Sequence, residues 1–146
     1  MGVKLGLDAK LYRNTGAYAS PSWNEVTNVK DLTLNLEAGE ADVSTRGNGG
    51  WRANIATLKD ASLEFEMVWD TADDDFTAIR TAFLTNAPIE FAVLDGASNA
   101  AGSQGLRASM AITNFSRAEP LEEAIKVSVT AKPTYADNPP EWMTAA

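Results

Sequence analysis

Residues Leu32 to Trp69 read LTLNLEAGEADVSTRGNGGWRANIATLKDASLEFEMVW, and this stretch decides the fold. Leu32, Leu34 and Leu36 alternate with polar residues, as do Ala61, Leu63, Phe65, Met67 and Trp69. Such a period of two is the mark of a strand with one apolar face. The intervening residues keep the alternation at Ala41, Val43 and Thr45 but carry little apolar bulk, and they end in Gly47-Asn48-Gly49-Gly50-Trp51. An alternating arm too polar to bury itself, tipped with glycine, predicts a hairpin that reaches outside its own domain.

Outward from that stretch, strands are expected over Leu5–Tyr12, Val29–Leu36, Ala41–Thr45, Trp51–Leu58, Ala61–Trp69, Ile89–Leu94, Leu106–Phe115 and Ile125–Lys132. Ile125, Val127, Val129 and Ala131 share one face while Lys126, Ser128 and Thr130 share the other. One-sided strands of this kind fit an antiparallel sandwich. A single helix is expected from Ala72 to about Thr85, capped by Thr71, with Phe76, Ile79 and Phe83 as its apolar stripe. Asp73, Asp74 and Asp75 put negative charge at its positive dipole end; a calcium loop would need alternate spacing, a turn glycine and a distal glutamate. No linker or fixed-period repeat divides the 146 residues, so one domain spanning 1–146 is expected.

Composition excludes several chemistries. The chain has no cysteine and no histidine, so disulfides, thiolate nucleophiles, Cys/His zinc sites and histidine acid–base catalysis fall away. Its formal net charge of −8 disfavours binding to nucleic acid phosphates. No apolar run is long enough to span a bilayer and no signal-peptide pattern opens the chain, so no membrane partner is expected and a cytoplasm is the default site of synthesis.

Some features carry two readings. Glu64 and Glu66 lie about 7 Å apart on one strand face, which suits either a glycosidase carboxylate pair or a solvated polar face. Trp23, Trp51 and Trp142 sit at element boundaries, where a glycan-binding module would stack sugars and an assembling protein would make subunit contacts. Gly47 to Gly50 lacks the lysine and the following helix of a phosphate-binding loop and reads as a hairpin tip.

The order of several short motifs resembles the major tail tube proteins of long, non-contractile-tailed bacteriophages. These are Trp23-x-x-Val26-x-x-Val29-Lys30-Asp31, Glu40 to Arg46, Gly49-Gly50-Trp51-Arg52 and Leu58 to Ser62, followed by the helix. Leu94-Asp95-Gly96, Gln104-Gly105-Leu106 and Glu119-Pro120-Leu121-Glu122 continue the likeness. The resemblance implies a mainly β domain, a sandwich or half-barrel of two antiparallel sheets with one flanking helix and a long protruding hairpin loop. It implies a structural, non-enzymatic role in the virion tail, in which six copies form a ring and rings stack into a tube for DNA. Implied partners are further copies of the chain, a tape measure protein, and tail terminator and tail tip proteins; DNA would pass without specific binding. No catalytic residue, metal or cofactor is called for. Tube proteins of contractile tails and of type VI secretion share the architecture and form the nearest alternative. Within that frame Asp42, Arg46, Asn48 and Trp51 are the expected ring-to-ring contacts. Glu64, Glu66 and Glu90 are the expected lumen carboxylates, each a polar position on an otherwise apolar strand whose other reading is the outer wall.

Overall fold

A computed structural model describes Val3 and residues 5–145. Eight strands form one hydrogen-bonded antiparallel sheet: β1 (Lys10–Asn14), β2 (Trp23–Glu25), β3 (Val29–Asp42), β4 (Asn54–Val68), β5 (Ile89–Leu94), β6 (Gln104–Ala118), β7 (Lys126–Pro133) and β8 (Glu141–Thr144). The path runs β2-β1-β5-β6-β7-β4-β3, and β8 joins the N-terminal part of β6. The mainly β architecture with one helix is as expected. Where two sheets were anticipated, the long β6 carries the ladder from one half of the molecule to the other, pairing β5 along its first half and β7 along its second.

Alternation builds the core. Leu63, Phe65 and Met67 of β4 pair with Ala131, Val129 and Val127 of β7, and all six are buried. On the other side of β4, Leu34 and Leu32 stand opposite Leu63 and Phe65 and are half-buried. Phe91, Ala108 and Met110 complete the apolar layer from β5 and β6. The helix α1 (Asp74–Thr85) closes it, with Phe76 and Ile79 fully buried. Phe76 lies edge-on to Trp69 at 4.8 Å between ring centroids and tilted against Phe115 at 5.9 Å. Burying such side chains contributes about 1.5–3 kcal/mol each.

Several local expectations are corrected. Residues Leu5–Asp8 do not extend β1; Gly6–Asp8 form a 3-10 turn, because Leu5 and Leu7 alternate with nothing to pack on and remain exposed. The helix starts at Asp74, not Ala72. Asp73 is its cap, accepting a hydrogen bond from the Phe76 N–H at 3.0 Å, while Asp70 takes the Ala72 N–H into a preceding turn and leaves Thr71 uninvolved. The strands expected as separate short pieces on either side of Glu37–Glu40 and Lys59–Asp60 are single long strands. Their polar residues stay in the ladder because the hairpin pairs with itself, Glu37 against Asp60 and Ala38 against Lys59, with an irregularity between Ala38 and Glu40. Val43–Thr45 and Trp51 leave the strands and belong to the turn. Strands β2 and β8, both short, were not anticipated.

Candidate assembly surfaces

Beyond Leu36 and Ala61 the β3–β4 hairpin leaves the core. Between Glu37–Asp42 and Asn54–Asp60 it is a ladder, broken once between Ala38 and Glu40, in which every residue but Ala41 is exposed. Six residues of strand make an arm of about 20 Å. A chain of polar contacts orders its tip. The Ser44 N–H donates to Asp42 Oδ1 at 2.8 Å, the Val43 N–H to the Ala53 carbonyl at 2.9 Å, and the Ala53 N–H to Ser44 Oγ at 2.8 Å. The Ser44 hydroxyl, and then its N–H, hold the Asp42 carboxyl below its ordinary value. Arg46–Asn48 form a 3-10 turn, and Asn48 Nδ2 donates to the Trp51 carbonyl at 2.9 Å. Gly49 and Gly50 then take φ of 62° and 85°, a conformation that favours glycine. Trp51 is thrust outward with 78 % of its surface exposed.

The four residues picked for ring contact thus cluster at one ordered tip: Asp42 and Asn48 shape it, while Arg46 and Trp51 are displayed. Arg52 and Ile55 are displayed near them, and Leu58 is displayed nearer the base of the arm; none of the three was expected there. Leu58 is 86 % exposed. Isolated exposed apolar residues are ordinary, but several on one projecting arm mark a contact surface.

The second surface is the polar face of the sheet. Thr33, Glu64, Thr130 and Asn114 lie in register across β3, β4, β7 and β6, and Glu66, Ser128 and Ser116 form the next row. Glu64 is exposed and Glu66 half-buried in this carpet of hydroxyls and amides. Among the described residues neither carboxylate is in an ion pair.

Glu90 keeps the alternation but not the setting. Its Oε2 accepts from Arg107 Nε, and its Oε1 accepts from Asn14 Nδ2 at 2.7 Å. The loop between β1 and β2 folds over this pair. Asn14 Oδ1 accepts the Gly16 and Ser22 N–H groups, the Tyr18 carbonyl accepts from Arg107, and the guanidinium lies 3.8 Å from the Tyr18 ring centroid. Glu141 of β8 approaches the same guanidinium; its hydrogen bond to the Tyr18 phenol, then burial, raise that group's pKa. A matching knot pins the helix: Asp75, buried, accepts from Arg13 Nε at 2.8 Å and from Asn24 Nδ2 at 2.9 Å. Both ion pairs hold elements together, and the charged partners converge on each other rather than on open space.

Among the described residues, a polar sheet face, an ordered projecting arm and an outer β3 edge that no strand covers are what this antiparallel fold leaves open. The chain belongs to the phage tail tube protein family, which matches residues 8–134, and its role is that of a structural component of the tail. Solved tail structures share the fold. The tail of an empty gene transfer agent particle, refined with C6 symmetry, is similar at a TM-score of 0.74 and 20% identity over 99% of this chain and 100% of that one. The virion of a native gene transfer agent particle gives 0.73 and 17% over 99% and 100%, and the SPP1 tail tube gives 0.70 and 17% over 89% and 75%. No curated protein sequence matches the chain.

Proposed function

We propose that copies of this chain join edge to edge into six-membered rings, and that the rings stack into the hollow tube through which DNA leaves the particle. The observation that carries the reading is the pair of unfinished features on one hairpin. Among the described residues, no strand covers the outer edge of β3 along its fourteen residues, and its distal half is an arm whose residues other than Ala41 are exposed. Closure into a ring satisfies such an edge, and head-to-tail stacking is open-ended. The C6 symmetry of a similarly folded tail supports six as the number.

In this arrangement Asp42, Arg46, Asn48 and Trp51 make the ring-to-ring contact. The polar face around Glu64 and Glu66 lines the lumen, where carboxylates and hydroxyls let DNA slide without adhering. Glu90 sits behind the loop at Tyr18 and supports the wall instead. The role requires no catalysis. Tape measure, terminator and tip proteins are the partners such a tube needs for its length and ends.

Negative-stain microscopy of concentrated protein tests the reading, with hollow rods or rings as the expected result. Deleting Gly47 to Gly50 should leave a folded monomer that forms no rods; rods of normal length from that variant would refute the role of the arm.

A further inference from the structure

The tip of the β3–β4 hairpin and the two connections beside its far end carry opposite charge, although Lys30 of β3 lies near Glu123 at that end. The tip, residues 43–53, contains Arg46 and Arg52 and no acidic residue, although the whole chain has a formal charge of −8. At the far end, residues 69–73 lead from β4 to α1 and residues 119–125 lead from β6 to β7. These connections hold Asp70, Asp73, Glu119, Glu122 and Glu123 without a single lysine or arginine. They are neighbours in space, because the Trp69 N–H donates to the Ile125 carbonyl at 2.9 Å.

Some of these acids are already engaged. Asp73 caps the helix, Glu119 pairs with Arg117 and Glu123 pairs with Lys126. Asp70, Asp74 and Glu122 are exposed and, among the described residues, in no ion pair; the same holds for Arg46 and Arg52 at the tip. Apolar surface is matched as well. Leu121, between Pro120 and Glu122, is 99 % exposed, and Trp51, between Gly50 and Arg52, is displayed in the same manner.

We propose that the arm tip of one copy docks on the acidic end of a second copy in the next ring, with Arg46 and Arg52 facing Asp70 and Glu122 and Trp51 covering Leu121. The inference rests on the reading of the arm as the ring-to-ring contact and adds its receiving surface. Because donor and receiver lie at opposite ends of one hairpin, every copy carries both and the contact repeats without closing. Two tips repel each other, as do two acidic ends, so the charge pattern enforces one polarity along the stack.

Charge reversal tests this. Arg46→Glu with Arg52→Glu, and separately Asp70→Lys with Glu122→Lys, should each give a folded monomer that makes no tubes. The four changes combined in one chain should restore tubes. Normal tubes from the arm variant would overturn both the arm's role and the receiver. Loss in the arm variant with normal tubes from Asp70→Lys and Glu122→Lys would overturn the receiver alone.

Proximity provides a second measure that leaves every proposed charge in place. The chain has no cysteine, so Thr45→Cys and Pro120→Cys together put one thiol on each surface. In assembled tubes a short bis-maleimide should then link chains into a ladder extending past dimers, while either change alone should not. Tubes of the double variant that yield no ladder would overturn the receiver and leave the arm's role standing.

Discussion

Arg107 and Glu90 form an ion pair with side-chain exposures of 9% and 13%, and the loop between β1 and β2 is built upon it. Arg107 also reaches the Tyr18 carbonyl and the Tyr18 and Trp23 rings, so one guanidinium joins β5, β6 and the covering loop. Arg107→Ala leaves the Glu90 carboxylate, which is only partly exposed, with Asn14 as its remaining side-chain partner. The expected loss is about 3–5 kcal/mol, read as a lower denaturation midpoint. Hydrogen exchange should rise first at residues 15–22, and an unchanged midpoint would show the pair to be ornamental.

At Gly105 the backbone of β6 runs hard against that of β5. A Cβ there would lie 1.5 Å from the Val93 carbonyl oxygen, a backbone atom that cannot step aside. Gly105→Ala should therefore cost more than about 4 kcal/mol, in the range that leaves little folded protein. Gly39→Ala is the control. Its new methyl meets the Thr57 hydroxyl at 2.6 Å, a side-chain contact on the exposed arm, and the expected cost is within about 1 kcal/mol. Thermal melts of the two variants distinguish these outcomes directly.

Asp73 satisfies the Phe76 N–H at the start of α1. Asp73→Ala should destabilise the domain by about 1 kcal/mol, whereas Thr71→Ala should have little effect. Equal losses in the two variants would return the cap to Thr71.

The Asp42 carboxyl is held below its ordinary value of 3.8 chiefly by the Ser44 hydroxyl and next by the Ser44 N–H. A depressed folded value means that the turn's contribution is complete above the ordinary carboxyl pKa and is lost as pH falls through the depressed one. Carboxyl NMR titration should find Asp42 titrating below an unstructured aspartate, and Ser44→Ala should move it back toward that value, the backbone N–H remaining in place. A wild-type titration at the ordinary value would contradict the observed turn.

Much of the fold was legible because alternation is a local signal. Leu63, Phe65 and Met67 announce a one-faced strand in three letters of the chain, and the arm betrays itself by keeping the period while losing bulk. The strand ends were not legible. Lys59 and Asp60 look like a break, yet they remain in the ladder because a hairpin's pairing partner lies across a turn and its polar side chains face water. Strands β2 and β8 are too short for any periodicity, and only pairing with β1 and β6 makes them strands. Glu90 shows the limit for the site. Its parity on β5 matches that of Glu64 on β4, but its surroundings depend on Arg107, seventeen residues away, and on Asn14, seventy-six away. No local pattern carries that information.

Because β4 is both arm and core strand, a tug on the arm crosses one irregularity in the pairing, next to Ala38 and Lys59, and then reaches the core. Force applied along the strand passes straight into the segment flanked by β3 and β7, whose backbone bonds lie crosswise to the load. Such bonds share the load in shear and do not open one by one like a zip. In the tube proposed above, pulling on the arm would therefore load the most deeply packed part of each molecule.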